Sequence, residues 1–373
     1  MKVLILLALI ALTASVQGYI SWKSESNHLY SFHDYKQEFN KIYTDEFEHE
    51  IRSMIFNENL KKIREINSNP ANTWKAGVNQ FTDMNAYEFK QHFGLNRPLK
   101  FYTKSATYVS PAFNHKTDFL VENPKSIDWR EKNILNPVRN QGACGSCWAF
   151  ATIAVSEAHV AKETGSLFSL SEQQLVDCAP NPHHCGGTGG CEGSIEPLGF
   201  EYIHSSGGYV TRDNYKYTAK DGKCVDNTFE RVATIDGFAQ TIANDPQSLE
   251  DTLARKGPVT VSVAASAWQF YSSGIFNSEC GYETNHAVTL VAYGEEENGA
   301  KYWTIRNSWG TSWGEEGHIR LPKEDDLKKD IKCGWDKDPK SGSACDGSPD
   351  KVWVCGQCGM YSESSYPVGA KLK

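Results

Sequence analysis

The sequence predicts an α+β protein: a helical leader, then a main domain that is helical in its first half and sheet in its second. Three observations carry this. All eleven cysteines lie beyond Pro124, a composition break that sets a domain boundary near residue 122. Residues 19–120 show only helical patterning. Beyond residue 257, apolar residues alternate with polar ones, the period of a strand.

In the leader, Phe32, Tyr35, Phe39 and Ile42 fall on one helical face, and a longer helix is expected over about 45–67. The stretch after Asn96 is loop-like, with Pro98 and Pro111. The main domain enters a helix over about 147–164. Trp148, Ala149, Phe150, Ile153, Ala154 and Val155 make it apolar nearly all round, so it should be a buried central helix, with Gly165 as its C-terminal cap. Val259, Val261 and Val263 alternate with Thr260, Ser262 and Ala264 in a strand over 257–264. Further strands are expected at 286–293, 301–307 and 318–321. Residues 322–357 read as an insertion, polar and charged, carrying Cys333, Cys345 and Cys355. Its acidic spacing matches no calcium loop, so a solvated loop pinned by disulfides is expected.

The 373 residues allow two or three folded units, and 39% hydrophobic with 12% aromatic content marks a globular chain. A formal charge of -8 argues against general nucleic-acid binding. Residues 1–18 read as a signal peptide. Lys2 is its positive start, residues 3–12 an apolar run too short to span a bilayer, and Val16 and Gly18 suit a cleavage site. No membrane span is expected. In an oxidising compartment the cysteines should mostly be bridged, and eleven is odd. At least one is left over, and a leftover thiol is a candidate nucleophile.

The run Gln141-Gly-Ala-Cys-Gly-Ser-Cys-Trp148 is the central motif. Cys147 opens the buried helix, where the helix dipole and unpaired backbone N–H groups favour a thiolate. Gly142 and Gly145 allow close backbone approach, and Cys144 can anchor the loop. A redox Cys-x-x-Cys pair would belong with a βαβ unit, which is not found around it. A thiolate nucleophile needs a base, and the base needs an orienting partner. His286 heads a strand 139 residues downstream, and Asn307 ends the next strand 21 residues further on.

The main domain resembles the papain family of cysteine peptidases, in particular its cathepsin L group. The Cys-Gly-Ser-Cys-Trp run carries the likeness, with Asp128-Trp-Arg, Asn140-Gln-Gly, residues 169–178, Gly190-Cys191, Asn307-Ser-Trp-Gly310 and Ser364-Ser-Tyr-Pro367. The leader resembles the cathepsin L type of propeptide: Glu48, Arg52, Phe56, Asn59, Ile63 and Asn67 lie on one helix face, and Gly77, Asn79, Phe81 and Asp83 follow. The resemblance implies a papain-like two-domain fold, a helical and a β-barrel-like domain with a cleft between, behind a helical propeptide. It implies a signal peptide at 1–18, an inhibitory propeptide at 19–122 and a peptidase domain at 123–373.

By the same resemblance, Cys147 and His286 are the catalytic pair, Asn307 fixes the imidazole tautomer, and Gln141 holds the oxyanion with the Cys147 N–H. Substrate-binding positions are Gly193, Ser194, Ile195, Glu196, Ser262, Trp309 and Glu363, with Trp309 shielding the His–Asn contact. Glu363 would floor the pocket for the substrate residue two before the cut. Three bridges carry over: Cys144–Cys191, Cys178–Cys224 and Cys280–Cys358. Cys185, Cys333, Cys345 and Cys355 then allow three pairings, of which Cys333–Cys355 with Cys185–Cys345 is preferred. His183 and His184 resemble the paired histidines of the cathepsin B occluding loop, but the loop 180–190 stands elsewhere in sequence and reads as an exposed loop near the cleft rim. The insertion, so near the C-terminus, is not expected to block an end of the cleft. No cofactor or metal is expected. Partners would be protein and peptide substrates, the chain's own propeptide and cystatin-type inhibitors, acting on a monomer in a lysosome, a digestive vacuole or outside the cell.

Overall fold

The computed structural model describes residues 30–93, 122–327, 329 and 331–373. The expected signal peptide and the stretch just before the expected boundary at 122 lie outside the described residues.

Helix α1 (Phe32–Glu38) starts on a Ser31–Asp34 capping box. It stops there, because Asn40 takes a left-handed conformation at φ 50. Tyr35 is buried as its face requires, but Ile42 falls beyond the helix and is 89% exposed, correcting the expected four-residue face. Helix α2 (Glu46–Ser68) is capped by Asp45 and buries Phe56, Asn59 and Ile63. A short strand β1 (Trp74–Ala76) and helix α3 (Ala86–Lys90) complete the leader. The strand corrects the all-helical reading of the leader: three residues show no periodicity, and the partner lies in the main domain.

The main domain opens with β2 (Ile127–Asp128), followed by helices α4 (Cys147–Thr164), α5 (Glu172–Cys178) and α6 (Glu196–Ser206). Then come β3 (Ala233–Thr234), β4 (Gly237–Gln240) and helix α7 (Pro246–Arg255). Strands β5 (Val259–Val263), β6 (Tyr271–Gly274), β7 (His286–Glu295), β8 (Lys301–Arg306) and β9 (His318–Pro322) follow. The insertion supplies β10 (Cys333–Asp336) and β11 (Val352–Cys355), and the chain closes with β12 (Ser364–Val368) and β13 (Lys371–Leu372).

The main sheet runs β4-β12-β5-β7-β8-β9, with β2 also on β7. Every residue of β5 is buried, Thr260 and Ser262 included. Its alternation therefore sorts two covered faces rather than core from solvent, and helix α4 packs against the strand. Helix α4 is buried from Cys147 to Ala161 and ends on Gly165 at φ 74, as its all-round apolar pattern requires. Strand β1 pairs antiparallel with β6, stitching the leader to the sheet domain.

All five disulfides match the pairings favoured from the sequence: Cys144–Cys191, Cys178–Cys224, Cys280–Cys358, Cys185–Cys345 and Cys333–Cys355. The insertion is more ordered than a solvated loop. Its strands form a hairpin in which Cys333 stands opposite Cys355, and Trp335 packs edge-on to Trp353 at 5.0 Å.

Candidate active site

Two lobes meet at Cys147. It is the first residue of α4, and the preceding Ser146 makes no side-chain cap bond to the helix. Instead the Ser146 hydroxyl turns to Tyr217, whose own hydroxyl donates to the Gln141 carbonyl at 2.6 Å. The loop ahead of the helix bends at Gly142, φ 65. The Gly145 N–H donates to Cys191 O at 2.9 Å, and the Cys144–Cys191 bridge holds the same contact, so residues 190–193 are fixed beside the thiol. Cys147 is in no disulfide.

From the other lobe, β7 begins at His286, opposite Val263 of β5, and Asn307 follows the last residue of β8. The His286 Nε2 and Asn307 Oδ1 atoms are 2.8 Å apart. The same oxygen accepts the Ser308 N–H at 2.8 Å, which identifies it as the acceptor. His286 therefore carries its proton on Nε2, and Nδ1 makes no hydrogen bond among the described residues. Trp309 stacks on the imidazole at 4.8 Å and 22°, and is itself fully buried. Burial pushes the imidazole pKa down to about 4, against a smaller upward pull from Asn307.

Gln141 is fully buried and its amide donates to Cys144 O and to the carbonyl of His92, both at 2.9 Å. His92 belongs to the leader, so a leader carbonyl occupies the donor expected to serve an oxyanion. Phe93 lies 5.8 Å from the His286 ring, and Phe81 and Phe89 stack edge-on against Trp309. The leader thus covers His286, Trp309 and the Gln141 amide.

The substrate-binding positions divide. The Ser262 N–H donates to Glu363 O at 3.1 Å, the Glu363 side chain is exposed, and its charge acts on buried Glu196. These three come together. Ile195 is the residue ahead of α6, Gly193 accepts from the Gly189 N–H at 2.7 Å, and the Ser194 hydroxyl is buried without a hydrogen bond among the described residues. Trp309 stands apart, on His286. Glu363 faces a cavity of about 330 Å³ whose other walls include Thr284, Asp336, Ser343 and Trp353. Sequence reasoning named none of those walls. It also missed Ser308, which bonds both Gln141 and Asn307 and whose signal was its place inside the Asn-Ser-Trp run.

The insertion packs against the loop 180–190. The Gly186 N–H donates to Ala344 O at 3.1 Å, and His184 Nδ1 lies 2.7 Å from the Asp346 carboxylate. The loop 180–190 is accordingly pinned to the insertion, with Cys185 and Gly186 buried.

Residues 123–342 match the papain family cysteine protease family, and residues 32–89 match the cathepsin propeptide inhibitor domain. The chain belongs to the papain family. It is 40% identical over 299 residues to the senescence-specific cysteine protease SAG12 of Arabidopsis thaliana, covering 79% of this chain and 84% of that protein. It is 38% identical over 332 residues to cathepsin L of Sarcophaga peregrina, covering 85% and 93%. Among solved structures, a recombinant stem bromelain precursor superposes with a TM-score of 0.73 at 35% identity, covering 91% of this chain and 97% of that one. Digestive procathepsin L 3 of the Tenebrio molitor larval midgut gives 0.70 at 30%, covering 90% and 97%. This papain-family chain is a cysteine endopeptidase made as a proform with an inhibitory propeptide. Its bridged cysteines belong with the secretory pathway.

Proposed function

We propose that Cys147 is the nucleophile, His286 its base and acid, Asn307 the residue that orients the imidazole, and Gln141 an oxyanion donor. The bond from His286 Nε2 to Asn307 Oδ1 carries this reading, because it leaves Nδ1 to exchange a proton with the Cys147 sulfur. The thiol proton passes to Nδ1 and the thiolate adds to the peptide carbonyl carbon. The carbonyl oxygen takes up the electron pair and is held by the Gln141 amide and the Cys147 N–H. Collapse expels the amine, which leaves with the Nδ1 proton, and a thioester remains. Water then gives a proton to Nδ1, adds to the thioester and releases the acid product and the thiol.

Residues 1–18 are a signal peptide, 19–122 the propeptide and 123–373 the peptidase in this reading, with 322–357 inserted. Gly193, Ser194, Ile195, Glu196, Ser262 and Glu363 line the side of the cleft that takes the substrate residues before the cut, and Trp309 shields the His–Asn bond. The mature enzyme is a monomer acting on proteins and peptides in a lysosome, a digestive vacuole or outside the cell, and open to cystatin-type inhibitors. Cys147→Ala is expected to abolish proteolysis and labelling by an epoxide inhibitor while the precursor still folds. Substantial residual activity in that variant would sink the assignment. Cleavage of a peptide blocked at both ends separates the endopeptidase from an exopeptidase.

A further inference from the structure

The tip of the insertion touches both walls of the cleft. On the wall that carries His286, Asp336 is buried and accepts the Thr284 N–H at 3.4 Å, and the Ser343 and Thr284 hydroxyls lie 3.2 Å apart. Thr284 stands two residues before His286. Gly342 sits so close that a Cβ there would lie 2.3 Å from Thr284 O. Ser343 and Glu363 line the same cavity. On the opposite wall, the Asp346 N–H donates to His183 O at 2.8 Å, and Cys345 is bonded to Cys185. Gly186, next in the chain, lies against Ser194 and Ile195: a Cβ on it would stand 2.7 Å from Ser194 O and 3.0 Å from Ile195 Cγ2. Both seats are thus backbone on backbone, with no space for a side chain to intervene.

We propose that residues 342–346, locked by the Cys185–Cys345 bridge, form a strap across the half of the cleft that receives substrate residues before the cut, and that this strap selects against bulk at the third residue before it. The proposal rests on the substrate-binding reading of Ser194, Ile195 and Glu363 given above. With the cut at Cys147 and the second residue directed toward Glu363, the next residue of an extended peptide advances about 3.3 Å and meets the strap. A small residue passes; a large one must displace a segment tied covalently to one wall and hydrogen-bonded to the other. The bridge spans 160 residues of sequence, and the second lock, Cys333–Cys355, closes the hairpin that presents the strap.

The test uses the full precursor, processed in acid, as wild type, as Cys185→Ser with Cys345→Ser, and as Asp346→Ala. The substrates are two internally quenched peptides that differ only in Gly or Trp at the third position before the cut. Wild type is expected to favour Gly by roughly tenfold or more in kcat/KM, the scale a steric pocket provides. Freeing the strap should bring that ratio to within about threefold, mainly by raising kcat/KM for the Trp peptide. Asp346→Ala keeps both bridges and should give an intermediate ratio, so it decides the matter if the serine variant does not fold. An unchanged Gly-to-Trp ratio in the folded variants overturns the strap. Failure of wild type to cut either peptide would instead overturn the peptidase reading beneath it.

Discussion

Glu363 has two hydroxyls and a second carboxylate nearby, and this sets how its pocket responds to pH. Although its side chain is exposed, the surrounding protein raises its pKa, and the nearby Ser343 and Ser262 hydroxyls pull it part of the way back. Glu196 is pushed up to about 7, first by burial and then by the charge of Glu363. Glu196 is therefore largely neutral in acid, and the pocket gains its charge as Glu363 ionises with rising pH. A guanidinium two residues before the cut pairs with that carboxylate only once it is ionised. Substrates ending Arg-Arg and Phe-Arg before the cut are expected to show a ratio that climbs from pH 4 to 7 in wild type and stays flat and low in Glu363→Ala. A ratio unmoved by the substitution removes Glu363 from the pocket. Gln141 belongs to the same scale. Gln141→Ala deletes one oxyanion donor and leaves the Cys147 N–H, so kcat is expected to fall by roughly 10²–10³-fold without vanishing. Complete loss in a folded protein would mean that Gln141 does more than donate.

Helix α2 works as a rack for the chain that follows it. Arg52 reaches Glu88 and Asp83 O, Asn59 donates to Thr82 O and Met84 O at 3.0 and 2.8 Å, and Asn67 brackets Ala76 through both its N–H and its carbonyl. The segment so held carries Asn79, which donates to Gln269 O at 2.7 Å, and Phe81, which packs on Trp309. Asn59→Ala removes one buried and one part-buried bond and should cost about 1–3 kcal/mol. Its precursor is expected to unfold its leader at lower temperature and to process at higher pH than wild type; identical profiles would count against the rack. These elements were legible because their residues repeat at helical spacing or cluster in short runs, as Cys147, His286 and Asn307 do within theirs. Strand β1 was not legible, since its three residues gain their structure from β6 about 200 positions away. The reach of the insertion was hidden for a similar reason. The pairing of Cys185 with Cys345 was the one preferred among the three that the family resemblance left open, but where that bridge lies depends on what Thr284 on one side and Gly186 and Ser194 on the other touch in space.

At the scale of the whole molecule, the leader and the two lobes form one proton-sensitive closure. His92 is buried between leader and main domain, with Nδ1 2.9 Å from Gly142 O, and burial lowers its pKa, with Lys41 adding to the effect. His286, beneath Phe93 and Trp309, is lowered to about 4. When the leader departs, His92 meets water and His286 loses the cover of Phe93, so both shift upward toward the ordinary value of about 6.5. The closed precursor thus binds fewer protons than the opened one. Its advantage is complete above about pH 6.5 and is lost as pH falls toward the closed-state value. The same burial keeps His286 neutral in the precursor at mildly acidic pH, which opposes the thiolate–imidazolium pair, so closure suppresses reactivity as well as access. Acid is therefore expected to trigger processing, with the new N-terminus near residues 121–123, and thiol labelling should rise with the same midpoint. His92→Gln keeps a donor for Gly142 O but cannot take up a proton. Its midpoint should move to lower pH, by about half a unit. A midpoint that stays in place would assign the trigger to His286 and the leader's carboxylates instead, and a midpoint that rises would show that His92 holds the leader closed by contact rather than by its charge.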